Sequence, residues 1–436
     1  MSIPELEEIK SAHCSCGKIH THAIDDIIIG GGAVNHICEI VERYGSNAFV
    51  LSDVNTYKAA ARKVCTLLDE KNIKYTSYTI NEETPEPDER SVGSVVMHYD
   101  RSCDVIVAVG SGVINDIGKL LAVTVDKPYI IVASAPSMDG YASATSSMTR
   151  DGLKISLPTK CANVIIGDTE ILAAAPMRML VSGIGDMLAK YVSICEWRIS
   201  HIITGEYYCE RIAELVRFAL KRCACNASGL IKRDPKAIEA VFEGLVIGGV
   251  AMTYAGLSRP ASGVEHYLSH IWDMRGVEFG TPVDLHGIQC AVGTLIAIRY
   301  YEKLKSIRPN REKALAYARG FDLAAWHERL RAFLGKGAES MIRLDETERK
   351  YDVLAHAKRL DIITEKWDEL LKIIDDELPT STELESLLDA IGAPKSMQDI
   401  GLESSLLPMT LAAAKDIRDK YVLPRLLWDI GVIDEI

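Results

Sequence analysis

The sequence predicts an N-terminal α/β domain with a doubly wound parallel sheet, followed by an all-α C-terminal domain. Three observations predict it. Between about residues 25 and 170, short apolar, β-branched runs alternate with amphipathic segments, as in a parallel sheet covered by helices. Beyond that stretch the strand-like runs stop, and long segments carry apolar residues at helical spacing. The 436 residues, 48% hydrophobic, suffice for two buried cores.

The predicted strands are Ile27–Ile29, Ala48–Leu51, Val105–Val109, Tyr129–Val132 and Val164–Ile166, with helices over 34–44 and 55–72 between the first of them. The helical half is predicted over 184–199, 206–223, 236–254, 284–303, 311–334, 346–375 and 410–428. A boundary falls near Ala173–Met177, where Pro176 suits the first turn of a new helix. The expected organisation is therefore an extension over 1–24, a dinucleotide-binding domain over 25–172 and a helical domain over 173–436. The charged 304–350 stretch reads as solvated helices.

A formal net charge of −12 argues against nucleic acid as a partner and leaves small anions open. Apolar stretches look shorter than the ~20 residues that span a bilayer. The opening MSIPELEEIK lacks an apolar signal core, so no membrane partner and no export are expected. Eleven cysteines spread along the chain suit a reducing, cytoplasmic setting rather than a disulfide framework. Cys14 and Cys16 lie among His13, His20 and His22 in HCSCGKIHTH. The C-x-C spacing departs from the C-x2-C of zinc knuckles, so this segment reads as a short extension with reduced thiols, with a small zinc site as the alternative.

Two glycine clusters follow strands. Gly30–Gly32 in IIIGGGAVNH has Asn35 where a dinucleotide fingerprint needs a small residue, and reads as a tight turn. In VIVAVGSGVINDIGK, Gly110, Ser111 and Gly112 join a buried strand to a helix. Small residues there let a backbone approach a pyrophosphate at a helix N-terminus, though an ordinary strand-to-helix turn has the same composition. Asn115 and Asp116 fall in the first helical turn, in reach of a ribose. Asp53, closing AFVLSD, suits a ribose contact that favours NAD over NADP, and equally a helix cap.

The helical half carries the sharper chemistry. GIGDMLAKY places Asp186 at the start of a helix, SRPASGVEHYLSHIWD sets His266 and His270 one turn apart, and DLHGIQCAVG adds His286. An Asp with two His from separate helices is the ligand set of a catalytic divalent metal with an open position. Each histidine alone would be an ordinary core residue; the i, i+4 pair puts two imidazoles on one face.

The segments VGSGVINDIGK, SAPSMDGYASATSSM, GIGDMLAKY, SRPASGVEHYLSH and LHG together resemble the iron-containing alcohol dehydrogenase and dehydroquinate synthase superfamily, and within it the sn-glycerol-1-phosphate dehydrogenases. The likeness runs over roughly residues 25–300, and the ending WDIGV also fits. It implies a dehydroquinate synthase-like fold, with a Rossmann-like domain and a helical domain. It implies a metal held by Asp186, His266 and His286. It places substrate against Asp139, Asp186 and His270, with His270 and Asp139 catalytic. It lines the dinucleotide, NAD(H) or NADP(H), with Gly112, Val113, Ile114, Asn115 and Asp116, with Ser134, Ala135, Pro136 and Ser137, and with Ser143. Lys190 stands where iron-dependent relatives carry a fourth ligand, a departure that suits zinc or nickel.

The implied reaction is NAD(P)H-dependent reduction of dihydroxyacetone phosphate, a small phosphorylated substrate, to sn-glycerol 1-phosphate. The alternatives are a polyol dehydrogenase on an unphosphorylated substrate and a dehydroquinate synthase-like lyase. Arg259 is the candidate cation for the ester phosphate, or else a structural clamp between helices. A homodimer is the expected assembly.

Overall fold

Six parallel strands form the sheet that the alternating pattern predicts. They are β1 (Asp26–Gly30), β2 (Asn47–Asp53), β3 (Lys74–Ile80), β4 (Val105–Gly110), β5 (Tyr129–Ala133) and β8 (Val164–Asp168), in the order β1-β8-β5-β4-β2-β3. A separate antiparallel hairpin pairs β6 (Thr145–Arg150) with β7 (Leu153–Pro158). The computed structural model describes residues 3–10, 13–150 and 153–436.

All five predicted strands lie inside observed ones. β2, β4, β5 and β8 are buried along their whole length, so both faces must be apolar and the runs are continuous rather than alternating. β3 and the hairpin were not predicted. β3, KYTSYTI, is an edge strand that keeps a polar, half-exposed sequence.

The strand order reverses between β2 and β4: the chain steps from β2 out to β3, then back across β2 to β4, β5 and β8. Ligands of doubly wound sheets bind outside the carboxyl ends of the strands at such a switch point. Asp53 ends β2 and Gly110 ends β4, so both sit at this place.

The chain divides into two units. One comprises Met1–Met187 with Glu214–Leu257, the other Leu188–Ala213 with Ser258–Ile436. This differs from the expected division at residue 173, because 173–187 and 214–257 lie in the sheet's unit and residues 3–24 are part of it. The helix Pro235–Ala255, expected in the helical half, belongs to the sheet's unit. There Phe242 lies so close to Gly167 of β8 that a Cβ on that glycine would overlap its ring. Residues 3–24 also belong to this unit, with Ile3, Leu6 and Ile9 buried. The 21-residue Pro235–Ala255 helix is also long and apolar enough to cross a membrane, contrary to the expectation that no stretch reaches that length. About four-fifths of its apolar window (78%) is buried in the protein, as a core helix that is apolar all round must be.

Among the described residues the second unit contains helices and no strand. Several predicted helices are split: 311–334 is Arg311–Gly320 and Leu323–Leu334, and 410–428 is Leu407–Ala414 and Leu423–Asp429. The WDIGV ending is structural. Asp429 accepts both a bidentate pair of hydrogen bonds from Arg359, at 2.7 and 2.8 Å, and one from Tyr421 Oη at 2.9 Å.

Candidate active site

In the sheet's unit, the loops after β4 and β5 lie side by side. Gly110 pairs with Ala133, and the Ser134 amide donates to the Gly110 carbonyl at 3.0 Å. Ser111 precedes the helix Gly112–Val125 in an extended conformation without a side-chain cap bond, and its hydroxyl lies 2.5 Å from that of Ser137. A Cβ on Gly110 would overlap Ile114, which explains glycine there. Tyr141, fully buried, donates to the Ala135 carbonyl at 2.5 Å and closes the loop from below. The helix N-terminus therefore meets a short serine-rich loop, an arrangement suited to phosphate oxygens.

Asn115 and Asp116, expected near a ribose, each have partners within the protein. Asn115 is wholly buried; its amide donates to the Gly140 carbonyl at 3.0 Å and its Oδ1 accepts from Tyr129 at 3.0 Å. Asp116 pairs with the buried Lys119 at 3.0 Å; burial raises its pKa against the pull of that lysine. Lys119 also donates to Gly140 O and Ser143 Oγ, both at 3.2 Å, and to Thr145 O, so Ser143 serves this polar knot. These bonds tie the 134–145 segment to the helix, and Gly112, Val113 and Asp116 stay partly exposed near its start. Asp53 is a helix cap: its Oδ1 accepts from the amides of Asn55 and Thr56, both at 2.8 Å.

Asp186 lies in the last turn of the helix Met177–Leu188, not at a helix start as expected, because that helix already begins after Pro176. Its side chain is fully buried, and its Oδ2 accepts from the Asp139 backbone amide at 2.9 Å. The helix sits tightly on the β5 loop. A Cβ on Gly183 would overlap the Pro136 carbonyl oxygen, and Ser182 donates to the Ser137 carbonyl at 2.9 Å. Pro136 and Ser137 of the loop after β5 and the carboxylate of Asp186 are thus parts of one packed contact.

In the second unit, His266 and His270 project from the helix Val264–Phe279, and His286 opens the helix His286–Leu304. The imidazole centroids of His266 and His286 are 5.0 Å apart, and His270 stacks on His286 at 5.8 Å. Gly293 allows this approach: a Cβ there would lie 2.7 Å from the Glu265 carbonyl oxygen. The structure therefore brings together the three histidines singled out in the sequence. It adds Cys290, whose Sγ lies with ligand nitrogens of His266 and His286 inside a 4.8 Å cluster. Burial pushes the Cys290 thiol up, but the two neighbouring imidazoles outweigh it and leave its pKa lowered. Cys290 follows His286 by four residues, the same spacing that joined His266 to His270, and that was the missed signal.

Behind the imidazoles lie groups that orient them. Glu265 Oε1 accepts from His266 Nδ1–H at 2.7 Å and from the Gly263 amide at 2.7 Å. That bond leaves the Nε2 lone pair of His266 for a ligand role. Ser269 Oγ lies 3.3 Å from His286 Nδ1 and accepts from Gln289, which also donates to Asp273. Glu196 is pushed up to about 8 by burial and by the nearby charge of Glu265; its oxygens accept from the amides of Leu423 and Val264, both at 2.8 Å. Two imidazole nitrogens, each backed by an oriented partner, with a thiol beside them, form a donor set that fits a divalent transition metal.

Arg259 is held by partners within the protein. It is buried, donating to the Tyr421 carbonyl at 2.9 Å, to Ser200 Oγ at 3.1 Å and to Glu206. Of its two readings, the geometry favours the clamp. Lys190 is fully buried as the first residue of the helix Lys190–Thr204.

A family model described as iron-containing alcohol dehydrogenase matches residues 28–176. The glycerol-1-phosphate dehydrogenase (NAD(P)+) of Bacillus subtilis is 32% identical over 318 residues, covering 70% of this chain and 81% of that protein. The chain belongs to the glycerol-1-phosphate dehydrogenase family. The enzyme of the same name from Halalkalibacterium halodurans is 28% identical and aligns with 95% of this chain and 94% of its own length. A solved structure described as a probable glycerol dehydrogenase from Sinorhizobium meliloti shares the fold, with a TM-score of 0.58 at 16% identity, over 94% of this chain and 96% of that one. The fold expected from the family likeness, a Rossmann-like domain with a helical part, is the fold observed.

Proposed function

We propose that the protein reduces dihydroxyacetone phosphate to sn-glycerol 1-phosphate, reversibly, with a reduced nicotinamide dinucleotide. The observation that carries this reading is the His266–His286 imidazole pair, backed by Glu265 and Ser269, in a chain of the glycerol-1-phosphate dehydrogenase family. His266, His286 and Asp186 are the proposed metal ligands. When bound, a divalent ion supplies a Lewis acid for the substrate carbonyl. The nicotinamide supplies hydride, and the glycine turn at 110–112 with the Ser134–Ser137 loop holds the dinucleotide.

The rest falls to side chains. His270, one turn from His266 and stacked on His286, is the proposed proton donor to the developing alkoxide, directly or through an ordered water. Asp139, whose amide is tied to Asp186, orients a substrate hydroxyl. Zinc or nickel is the proposed ion, because Lys190 occupies the position of a fourth ligand in iron-dependent relatives.

Steady oxidation of NADH with dihydroxyacetone phosphate, set beside free dihydroxyacetone, tests the reading. Strong preference for the phosphate ester is the expected result. Because Arg259 is turned inward, equal use of both substrates would move the assignment to a polyol dehydrogenase. Exhaustive chelation should abolish turnover, with zinc or nickel restoring it better than iron; full activity in metal-free protein would overturn the ligand set.

A further inference from the structure

We infer that Cys14, Cys16 and His20 supply three ligands of a zinc site in the N-terminal segment, separate from the catalytic metal. The Sγ atoms of Cys14 and Cys16 and a ring nitrogen of His20 lie within 4.8 Å of one another. His20 Nε2 is 3.4 Å from Cys16 Sγ. Tetrahedral zinc with Zn–S near ~2.3 Å and Zn–N near ~2.0 Å holds its ligands about 3.5–3.8 Å apart, so only small side-chain shifts separate this cluster from a bound geometry.

Two further features point to a metal rather than to chance neighbours. His20 is 1% exposed, and its Nδ1 lies 3.2 Å from the Tyr254 carbonyl oxygen. A carbonyl only accepts, so Nδ1 carries the proton and Nε2 turns its lone pair toward the thiols. That is how second-shell carbonyls prepare ligating histidines. The backbone also turns back on itself at the cysteines. The Gly17 amide donates to the Cys14 carbonyl at 3.0 Å with Gly17 at φ 78°, which brings two sulfurs of an unusual C-x-C spacing to one side.

Two thiolates and a neutral imidazole are soft and borderline donors, which select zinc over magnesium or calcium. Binding replaces the two S–H protons, which leave to solvent, with no change of oxidation state. The site would pin the segment to the end of the helix Pro235–Ala255, where Lys18 already reaches the Ala255 carbonyl at 3.5 Å and Tyr254 donates to Leu6 O at 3.2 Å.

The test is a metal count on the full chain, grown with zinc and purified without chelator. Wild type should carry two ions per chain, and His266→Ala, stripped of the catalytic ion, should keep one. Adding Cys14→Ser and Cys16→Ser to His266→Ala should leave none. Wild-type protein needs no substitution for the second measurement: chelator-driven release of the ion should expose at least two additional thiols to a thiol reagent. A single ion in wild type, with none left in His266→Ala and no thiols exposed on chelation, would overturn the site. Two ions persisting in His266→Ala would instead overturn the catalytic ligand assignment and leave the N-terminal site standing.

Discussion

The Nδ1–H of His266 points at Glu265 Oε1, 2.7 Å away, although the two residues are adjacent on one helix. Neighbouring helical side chains do not face each other. Here the contact forms at the helix start, where Val264 is the first helical residue and Glu265 turns back to accept the Gly263 amide as well.

Glu265→Gln should therefore weaken metal affinity by about 10- to 100-fold, because the amide keeps an acceptor but loses the charge that makes Nε2 a stronger ligand. Turnover should recover at saturating metal. Metal titration followed by activity assays checks this, and unchanged affinity would show that Glu265 is only a turn-forming residue.

His270 and His266 should separate cleanly. His270→Ala is expected to keep near-stoichiometric catalytic metal and normal melting while kcat/KM falls by ~10²–10⁴-fold. His266→Ala should lose the catalytic metal with the activity. If His270→Ala loses metal as readily, the ligand assignment is wrong; if it turns over like wild type, the proton comes from elsewhere.

Asp53 serves as a helix cap, and it also ends β2 at the switch point of the sheet. NADH should be used at least as well as NADPH, since a carboxylate there repels a 2′-phosphate. Asp53→Ser keeps a capping oxygen and should raise relative NADPH use with little change in Tm. Asp53→Ala should lose about 1 kcal/mol of stability as the cap goes. A wild-type enzyme strongly preferring NADPH would leave Asp53 as a cap alone.

Folding raises the Glu196 pKa from 4.5 to about 8, through burial and the charge of Glu265. Between those values the folded state keeps the proton and the unfolded chain releases it. Stability from this group is complete below about 4.5 and is lost as pH rises toward about 8. Glu196→Gln should flatten part of the fall in Tm over that window. Asp345, pushed up to about 7 by burial and Asp416, should retain the rest of the slope. An unchanged Tm–pH profile would show that Glu196 is ionised in the folded protein.

Periodicity and local chemistry determined much of this protein without coordinates. The five predicted strands, the glycine turn after β4, the i, i+4 imidazole pair and the family likeness are local signals, written in consecutive residues. What only the tertiary structure decided are contacts between residues far apart in sequence. β3 escaped notice because an edge strand needs little apolar surface. The Pro235–Ala255 helix joined the sheet's unit because Gly167 admits Phe242. Asn115 turned inward because its amide found the Gly140 carbonyl, 25 residues away. Arg259 was drawn into a clamp because Tyr421 lies 162 residues further on. Cys290 and His20 acquired their surroundings in the same way. A side chain's type reveals which bonds it is able to make. Which ones it does make depends on partners that burial brings within reach, because a buried polar group must be satisfied by whatever the folded chain places beside it.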